Sequence, residues 1–355
     1  MQNRLSLLRQ VLTRNSLDGV ILSEEATVNW LYEGRYHISV ATKDSCALVF
    51  VTRDAVEVLV NSIEAQRLQD EEHLVADTIH VHPWYDDVMR SAILSQWESR
   101  GKVVHETTLI RQIQQLRLKL STTQIAQAQE LGLQVAMALY ETCVQLRPSM
   151  TENEIAGYLA KSCISRDVEP VVNLIAGERR ALLYRHFLPT NTPVGSYAIV
   201  SVSGRCHGQV VSATRMVHFG AVGTELKQKY EAVLRVEAAL LYASKAGTSL
   251  GEVLQAGIVR YAQEGYSEEW KLHHQGGIAG YISREIKAEP NLDIPLNTCM
   301  LVAWNPTIQG VKAEDTILVG DGKVQVMTKE PEFPTTTVSC MDETYQLPAI
   351  LVLPK

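Results

Sequence analysis

The N-terminal third of the chain alternates short apolar runs with segments of helical spacing. The runs are rich in Val, Ile and Leu and are bounded by polar turns, which predicts buried strands. Leu5, Leu8 and Leu12 recur on one face of a helix predicted over 1–15, and a second helix is predicted over 63–70. This alternation of strands and helices predicts a small α/β domain. The predicted strands are 19–22, 46–51 and 56–60.

The rest of the chain begins with helical spacing and then becomes rich in strands. Apolar positions predict helices over 109–120 and 125–146. Thr151 and Glu154 have the spacing of a capping box, so a further helix is predicted to start at Thr151. Strands interrupted by two helices follow, which predicts an α+β domain whose sheet is covered on one face. The predicted strands are 197–202, 209–212, 300–304 and 316–319, and the two helices are 226–246 and 250–264.

Charge and composition exclude several classes of protein. The 355 residues carry a formal net charge of −7, and no dense group of Lys and Arg offers a surface for nucleic acid. The N-terminus lacks a basic segment followed by an apolar one, and no run of roughly twenty apolar residues predicts a membrane span. Six scattered cysteines without a CxxC pair argue against a disulfide framework and a zinc site. We therefore expect a cytoplasmic protein that binds neither nucleic acid nor a membrane.

Several local motifs occur together in a fixed order. The segment 29–34 (NWLYEG) is followed by strands and by Glu64-Ala65, and the segment 113–119 (IQQLRLK) precedes a long helix and the capping box. In this order they resemble the creatinase, prolidase and aminopeptidase P superfamily (peptidase M24) over nearly the whole chain. The resemblance implies two domains. These are a smaller α/β creatinase-type N-terminal domain with its linker helix over 1–118, and an α+β pita-bread domain over 119–355.

The resemblance also implies where metal ions would bind. Members of this superfamily hold two ions with two Asp, one His and two Glu, because carboxylate oxygens suit hard divalent ions. The segment 201–215 (SVSGRCHGQVVSATR) matches the family's hairpin motif at Gly208, Thr214 and Arg215. Only Glu314 remains a carboxylate, and neutral groups at the other positions cannot offset a dication, so we expect no metal and no other cofactor. The substituted ligand positions are Ser201, Ser212, Gly277 and Asn305.

His186 is the main candidate for chemistry without metal. It lies in the segment 185–190 (RHFLPT), which resembles a family motif whose histidine contacts substrate. In metal-free creatinase the matching histidine acts as the general acid and base. An imidazole with a pKa of about 6.5 can take and give a proton at neutral pH. The alternative is a histidine that serves only in packing.

Arg284 and Glu314 are candidates for orienting charged ends of a substrate. Arg284 occupies the place of a second family histidine, and its guanidinium could clamp a carboxylate with two hydrogen bonds. An ion pair with Glu314 or Glu285 explains it equally well. Glu314, which the resemblance assigns to a metal, could pair with an arginine or accept a hydrogen bond from a cationic substrate. Left alone in a cavity, its carboxyl would have a raised pKa.

The remaining candidates for substrate binding are His274 and Arg35. His273 and His274 are adjacent, so on an extended strand at most one of them faces a pocket; we choose His274, with packing as the alternative. Arg35 lies where creatinase-like dimers reach into the partner's site, so the resemblance implies a homodimer in which Arg35 contacts substrate.

Three functions are compatible with these residues. The first is a metal-independent enzyme that hydrolyses a C–N bond of a small amino-acid, guanidino or peptide-like compound, with His186 moving the proton. The second is an inactive homologue that serves as a ligand-binding or interaction module, since a fold can outlast its function. The third, an ordinary metallopeptidase with misaligned ligands, has no pair of aspartates at the required spacing. Convergence of His186, Arg284 and Glu314 would favour the first function over the second.

Overall fold

A computed structural model describes all 355 residues, Met1–Lys355. Its internal contacts divide the chain into two compact units. The first comprises Met1–Leu118 with His207–Gln209, and the second comprises Lys119–Cys206 with Val210–Lys355. No helix in either unit combines the length and the apolar character that crossing a membrane requires.

The first unit is a mixed five-stranded sheet with helices. The sheet has the order β4-β3-β2-β1-β5, in which β3 pairs with β4 and β1 with β5 in parallel, and the other pairs are antiparallel. Ile21, Phe50, Leu59 and Trp97 form a buried cluster of this unit. The predicted strands and both predicted helices are confirmed. The elements are α1 (Gln2–Arg14), β1 (Gly19–Glu24), α2 (Glu25–Tyr32), β2 (Asp44–Thr52), β3 (Val56–Asn61), α3 (Ala65–Asp70), β4 (Thr78–His82), α4 (Asp87–Glu98), β5 (Val103–His105), a 3-10 helix (Glu106–Leu109) and α5 (Ile110–Leu118).

Three helices of the second unit begin at capping boxes. Ser121, Thr151 and Ser249 each accept a hydrogen bond from the backbone N–H three residues on, and the Gln or Glu at that position bonds back. The helix start predicted at Thr151 is therefore confirmed. The helices are α6 (Thr122–Cys143), α7 (Glu152–Ile164), α8 (Glu178–Ala181), α9 (Thr224–Ala243), α10 (Leu250–Gln263) and a 3-10 helix (Glu269–Leu272).

Two larger sheets and two hairpin pairs complete the second unit. One sheet has the order β18-β8-β7-β6 and the other β10-β9-β11-β14-β15, while β12 pairs with β13 and β16 with β17. The strands are β6 (Glu169–Gly177), β7 (Tyr197–Cys206), β8 (Gln209–Phe219), β9 (Gly276–Ala279), β10 (Ile286–Lys287), β11 (Leu301–Trp304), β12 (Thr307–Ile308), β13 (Val311–Lys312), β14 (Asp315–Val319), β15 (Val324–Val326), β16 (Thr335–Cys340), β17 (Glu343–Pro348) and β18 (Leu351–Leu353).

The core of the second unit lies between helices and the first of these sheets. Apolar residues of α6 and α7 pack on β6, β7 and β8 to form one continuous buried cluster. Every residue of β8 is buried, which is why its sequence lacks the alternation of a half-exposed strand and why only its first residues were predicted. Thr214 of β8 also forms a bridge to Glu314, just before β14, and so joins the two larger sheets.

Candidate functional site

Glu314 lies at the junction of the two larger sheets of the second unit. The Thr214 backbone N–H donates to the Glu314 carbonyl oxygen at 3.0 Å, which fixes the backbone of this short segment between β13 and β14. The Thr214 hydroxyl donates to Glu314 Oε2 at 2.7 Å. Strand β8 therefore positions the carboxylate both through its backbone and through a side chain.

Two cationic side chains bind the same carboxylate. Lys312 Nζ lies 2.8 Å from Glu314 Oε2, and Arg284 Nη2 lies 2.9 Å from Oε1. All three side chains are less than a tenth exposed, at 4% for Lys312, 8% for Arg284 and 6% for Glu314. The ion pair of Arg284 with Glu314, one of the two roles that the sequence suggested for this arginine, is therefore present. The cluster contains two cations and one anion.

Buried hydroxyl groups surround the two cations. Lys312 Nζ donates to Ser201 Oγ at 3.3 Å, and Ser201 Oγ lies 2.6 Å from Thr214 Oγ1. On the other side, Arg284 Nη1 donates to Ser212 Oγ at 3.3 Å. Each cation thus contacts one of the two serines that stand at the predicted aspartate positions. We call this set the cation cluster; its members are Ser201, Ser212, Thr214, Arg284, Lys312 and Glu314.

The charge of Glu314 is stabilised by its partners. Burial alone would raise the pKa of its carboxyl, but Lys312, Arg284 and the Thr214 hydroxyl outweigh burial and lower the pKa to about 2. The raised pKa expected for an isolated carboxyl does not occur, because the carboxyl is not isolated. Glu314 is therefore ionised at every pH at which proteins are commonly studied.

We expect this depressed pKa to appear as a loss of stability in acid. The pKa of Glu314 falls from an ordinary 4.5 to about 2 on folding, so its contribution is complete above pH 4.5 and is lost as pH falls towards 2. The shift corresponds to roughly 3 kcal/mol. Urea unfolding measured between pH 6 and pH 3 should show a steeper loss for the wild-type protein than for Glu314→Gln. Parallel curves for the two proteins would contradict the assignment.

Two further positions implied by the resemblance lie on the second sheet. Gly277 of β9 pairs with Lys287 of β10 and has φ +148°. A Cβ atom added there would lie 2.1 Å from the carbonyl oxygen of Ile286, so the backbone of β10 leaves no room for a side chain at this position. Asn305 directly follows β11, is 3% exposed and donates its backbone N–H to the Gln275 carbonyl.

His186 belongs to a second cluster that contains three histidines. Its Nε2 lies 3.1 Å from Nε2 of His273, and its ring centroid lies 4.9 Å from that of His273 and 5.7 Å from that of His274. The expectation that at most one of the two adjacent histidines faces the site is therefore wrong. The pair precedes β9 in an irregular segment, so strand alternation does not separate the two rings. We call His186, His273 and His274 the histidine cluster.

All three imidazoles are uncharged at neutral pH. Burial and the nearby charge of Lys312 lower the pKa of His186 and bring that of His273 to about 2. Burial and the charge of Arg284 lower the pKa of His274 to about 4. The two cations that act on these rings, Lys312 and Arg284, are members of the cation cluster. Neutral rings keep a lone pair for accepting a proton.

The sequence predicted some, but not all, of the residues in these two clusters. Lys312 and His273 were missed as site residues, although Lys312 stands two positions before Glu314, a spacing that puts two side chains on one face of a strand. Arg35 lies in the first unit, where it is mostly exposed and pairs with Glu72 at a distance of 3.1 Å. A role for Arg35 in binding substrate stays a prediction.

Comparison with known families identifies both parts of the chain. The model of metallopeptidase family M24 matches residues 123–321, and that of the creatinase/prolidase N-terminal domain matches residues 4–135. An uncharacterized peptidase of Staphylococcus epidermidis is 20% identical over 212 residues, which are 56% of this chain and 60% of that relative. A Xaa-Pro dipeptidase of Pyrococcus horikoshii is 18% identical over 360 residues, an alignment that covers 93% of this chain and 97% of that relative.

Solved structures show the same fold. The crystal structure of the prolidase from Pyrococcus horikoshii superposes with a TM-score of 0.78 at 16% identity and covers 93% of this chain and 99% of that protein. Its pita-bread architecture is the arrangement described above for the second unit, preceded by a creatinase-type N-terminal domain. On the match of its family model, this chain belongs to metallopeptidase family M24.

Proposed function

We propose that this chain is a metal-independent, hydrolase-like member of its family that acts on a C–N bond of a small peptide-like or amino-acid compound. The observation that carries the proposal is the binding of Lys312 and Arg284 to Glu314. A metal ion at this carboxylate would meet two positive charges and only hydroxyl groups from Ser201 and Ser212. This donor set does not fit a pair of divalent ions, which require several anionic oxygens.

His186 is the group that moves the proton in this proposal. Its neutral imidazole accepts a proton from water as the water oxygen bonds to the carbonyl carbon, and the imidazolium then gives that proton to the leaving nitrogen as the C–N bond breaks. The products are a carboxylic acid and an amine. Arg284 supplies positive charge near the carbonyl oxygen as negative charge develops there.

The charges of the cation cluster favour substrates that carry a carboxylate over guanidino compounds. Both oxygens of Glu314 are engaged, by Arg284 on one side and by Lys312 and Thr214 on the other. No carboxylate of this cluster is left for a guanidinium group, which weakens the guanidino alternative. The excess positive charge favours a compound with a carboxylate instead. The names of two relatives, a prolidase and a Xaa-Pro dipeptidase, make Xaa-Pro dipeptides the first compounds to test.

The cation cluster also favours a second candidate function. Its charged groups and hydroxyls are bonded to one another, as in a structural network that needs no ligand. A catalytically inactive homologue that binds a ligand or another protein would retain such a network. Both candidates are compatible with the homodimer that we propose for this chain.

Hydrolysis in the presence of a chelator distinguishes the two candidates. We expect purified protein in excess EDTA to release free amino acid from a panel of Xaa-Pro dipeptides and N-acyl amino acids. His186→Ala should lower the rate by roughly 100-fold or more, because a general acid–base group contributes that much. His105→Ala, an exposed histidine of the first unit, is the matched control. Ligand-induced thermal stabilisation without any hydrolysis would select the inactive alternative.

A further inference from the structure

The histidine cluster places three possible metal ligands in one small volume. One nitrogen from each of His186, His273 and His274 lies within 4.8 Å of the other two. The rings contact one another edge to face or tilted, with centroids 4.6 to 5.7 Å apart. The contacts within the cation cluster do not explain why three imidazoles lie together.

The nitrogens of this cluster are poorly satisfied by the protein. His273 is 6% exposed, and its Nδ1 has no hydrogen-bond partner, nor does the buried Nδ1 of His274. If His273 and His186 share a hydrogen bond through their Nε2 atoms, either tautomer of His273 leaves its other nitrogen unsatisfied. An ion held by Nε2 of His186 and His273 leaves Nδ1 of His273 unchanged, whereas the buried Nδ1 of His274, which has no partner, is available to bind that ion and would lose a cost of about 1–3 kcal/mol.

The geometry is close to that required by a tetrahedral ion. Zinc binds imidazole at about 2.0–2.1 Å, which separates two ligand nitrogens by about 3.3 Å in a tetrahedron. The observed separation of His186 and His273 is 3.1 Å. His186 is exposed and follows the short helix α8, so a rotation of its side chain can bring the wider separations to the same value. Three protein ligands leave a fourth position open.

We propose that His186, His273 and His274 form a binding site for a single transition-metal ion that prefers nitrogen ligands, such as Zn²⁺ or Co²⁺. None of the three stands at a position that the resemblance assigns to the family's metal pair. Neutral imidazoles suit zinc, cobalt and nickel, whereas Mg²⁺ and Mn²⁺ prefer carboxylate oxygens. The positive charges of Lys312 and Arg284, which Glu314 offsets only in part, weaken the binding of any cation at this site, so the selectivity comes from the imidazole ligands.

One consequence of this site rests on the proposed function. An ion bound to His186 occupies the lone pair that would accept the proton from water. Zinc is then an inhibitor and not a cofactor, and the chelator in the hydrolysis assay raises the activity. Metal binding is measured without substrate, whereas the proposed function is tested by hydrolysis in the presence of a chelator. A failure of one proposal can therefore be told apart from a failure of the other.

Cobalt titration tests the site directly. The full-length protein, first dialysed against a chelator, is titrated with Co²⁺ alone. We expect the intense visible absorption of tetrahedral cobalt, saturating at one ion per chain and abolished by Zn²⁺ but not by Mg²⁺ or Mn²⁺. His186→Ala and His273→Gln should each weaken binding at least tenfold, while His105→Ala and Ser212→Ala leave it unchanged.

Two results would overturn the proposal. One is the weak absorption of octahedral cobalt, or no absorption, in the wild-type protein. The other is undiminished binding in His186→Ala. Because position 186 is exposed, a loss of binding in this variant is not explained by a folding defect. Thermal unfolding of each variant without metal checks that His273→Gln is folded. If Glu314→Gln abolishes cobalt binding and the histidine variants do not, the ion binds at the carboxylate of Glu314. That result would contradict both this proposal and the proposed function.

Discussion

Replacing Glu314 by Gln is expected to lower the free energy of unfolding by about 3–5 kcal/mol, the loss found when one partner of a buried ion pair is removed. The carboxylate is the common partner of Lys312 and Arg284, and all three side chains are buried. A neutral amide in its place would leave two positive charges in the protein interior with only hydroxyls and amide groups beside them. Urea unfolding at neutral pH measures the difference.

Lys312→Met is the informative comparison for this prediction. It removes one cation and leaves Arg284 and Glu314 as a balanced pair, so its effect should be clearly smaller than that of Glu314→Gln. Ser201→Ala, which removes only a hydroxyl that contacts Lys312, should have a smaller effect still. Equal losses for Glu314→Gln and Lys312→Met would contradict the charge argument, because shape and packing alone would then explain them.

Gly277→Ala is expected to destabilise the protein by about 2–5 kcal/mol, the sum of a strained backbone and an overpacked contact. The added Cβ would lie 2.1 Å from the Ile286 carbonyl oxygen and 2.9 Å from the Ala288 nitrogen. Both atoms belong to backbone and cannot turn aside as a side chain could. Thermal and urea unfolding, together with the yield of folded protein, measure the effect.

Gly247→Ala separates the two causes. Gly247 also has a positive φ, of +93°, but no atom lies within 4 Å of the place where its Cβ would be. Its replacement should therefore lower stability by only about 1–2 kcal/mol, from backbone strain alone. Comparable losses at positions 247 and 277 would show that β10 moves aside easily and would undermine the conclusion that no side chain fits at 277.

Much of the fold follows from local patterns in the sequence. The capping box at Thr151 and the apolar runs of β1 to β3 are signals carried by neighbouring residues, and the structure confirms them. Short strands such as β10 and β12 were not predicted, because two residues carry no periodicity. Their positions depend on pairing with distant strands, which a single sequence does not reveal.

The candidate site was predicted less completely than the fold. His186, Arg284 and Glu314 were found through motifs, and the structure brings Arg284 directly onto Glu314. Lys312 was missed because no motif pointed to a lysine where metal ions were expected. His273 was missed because strand alternation was applied to an irregular segment, where the backbone turns both rings towards His186.

The closeness of β10 to Gly277 has a consequence for descent. An ancestor with a histidine at 277 would have needed the Ile286 carbonyl to lie farther away than it does in this chain. When a side chain at this position is lost, the neighbouring strand can close over the space, and a later mutation to histidine then meets a backbone that does not admit it. At 277 a strand must withdraw before any side chain fits, which makes the loss of a side chain there hard to reverse in evolution.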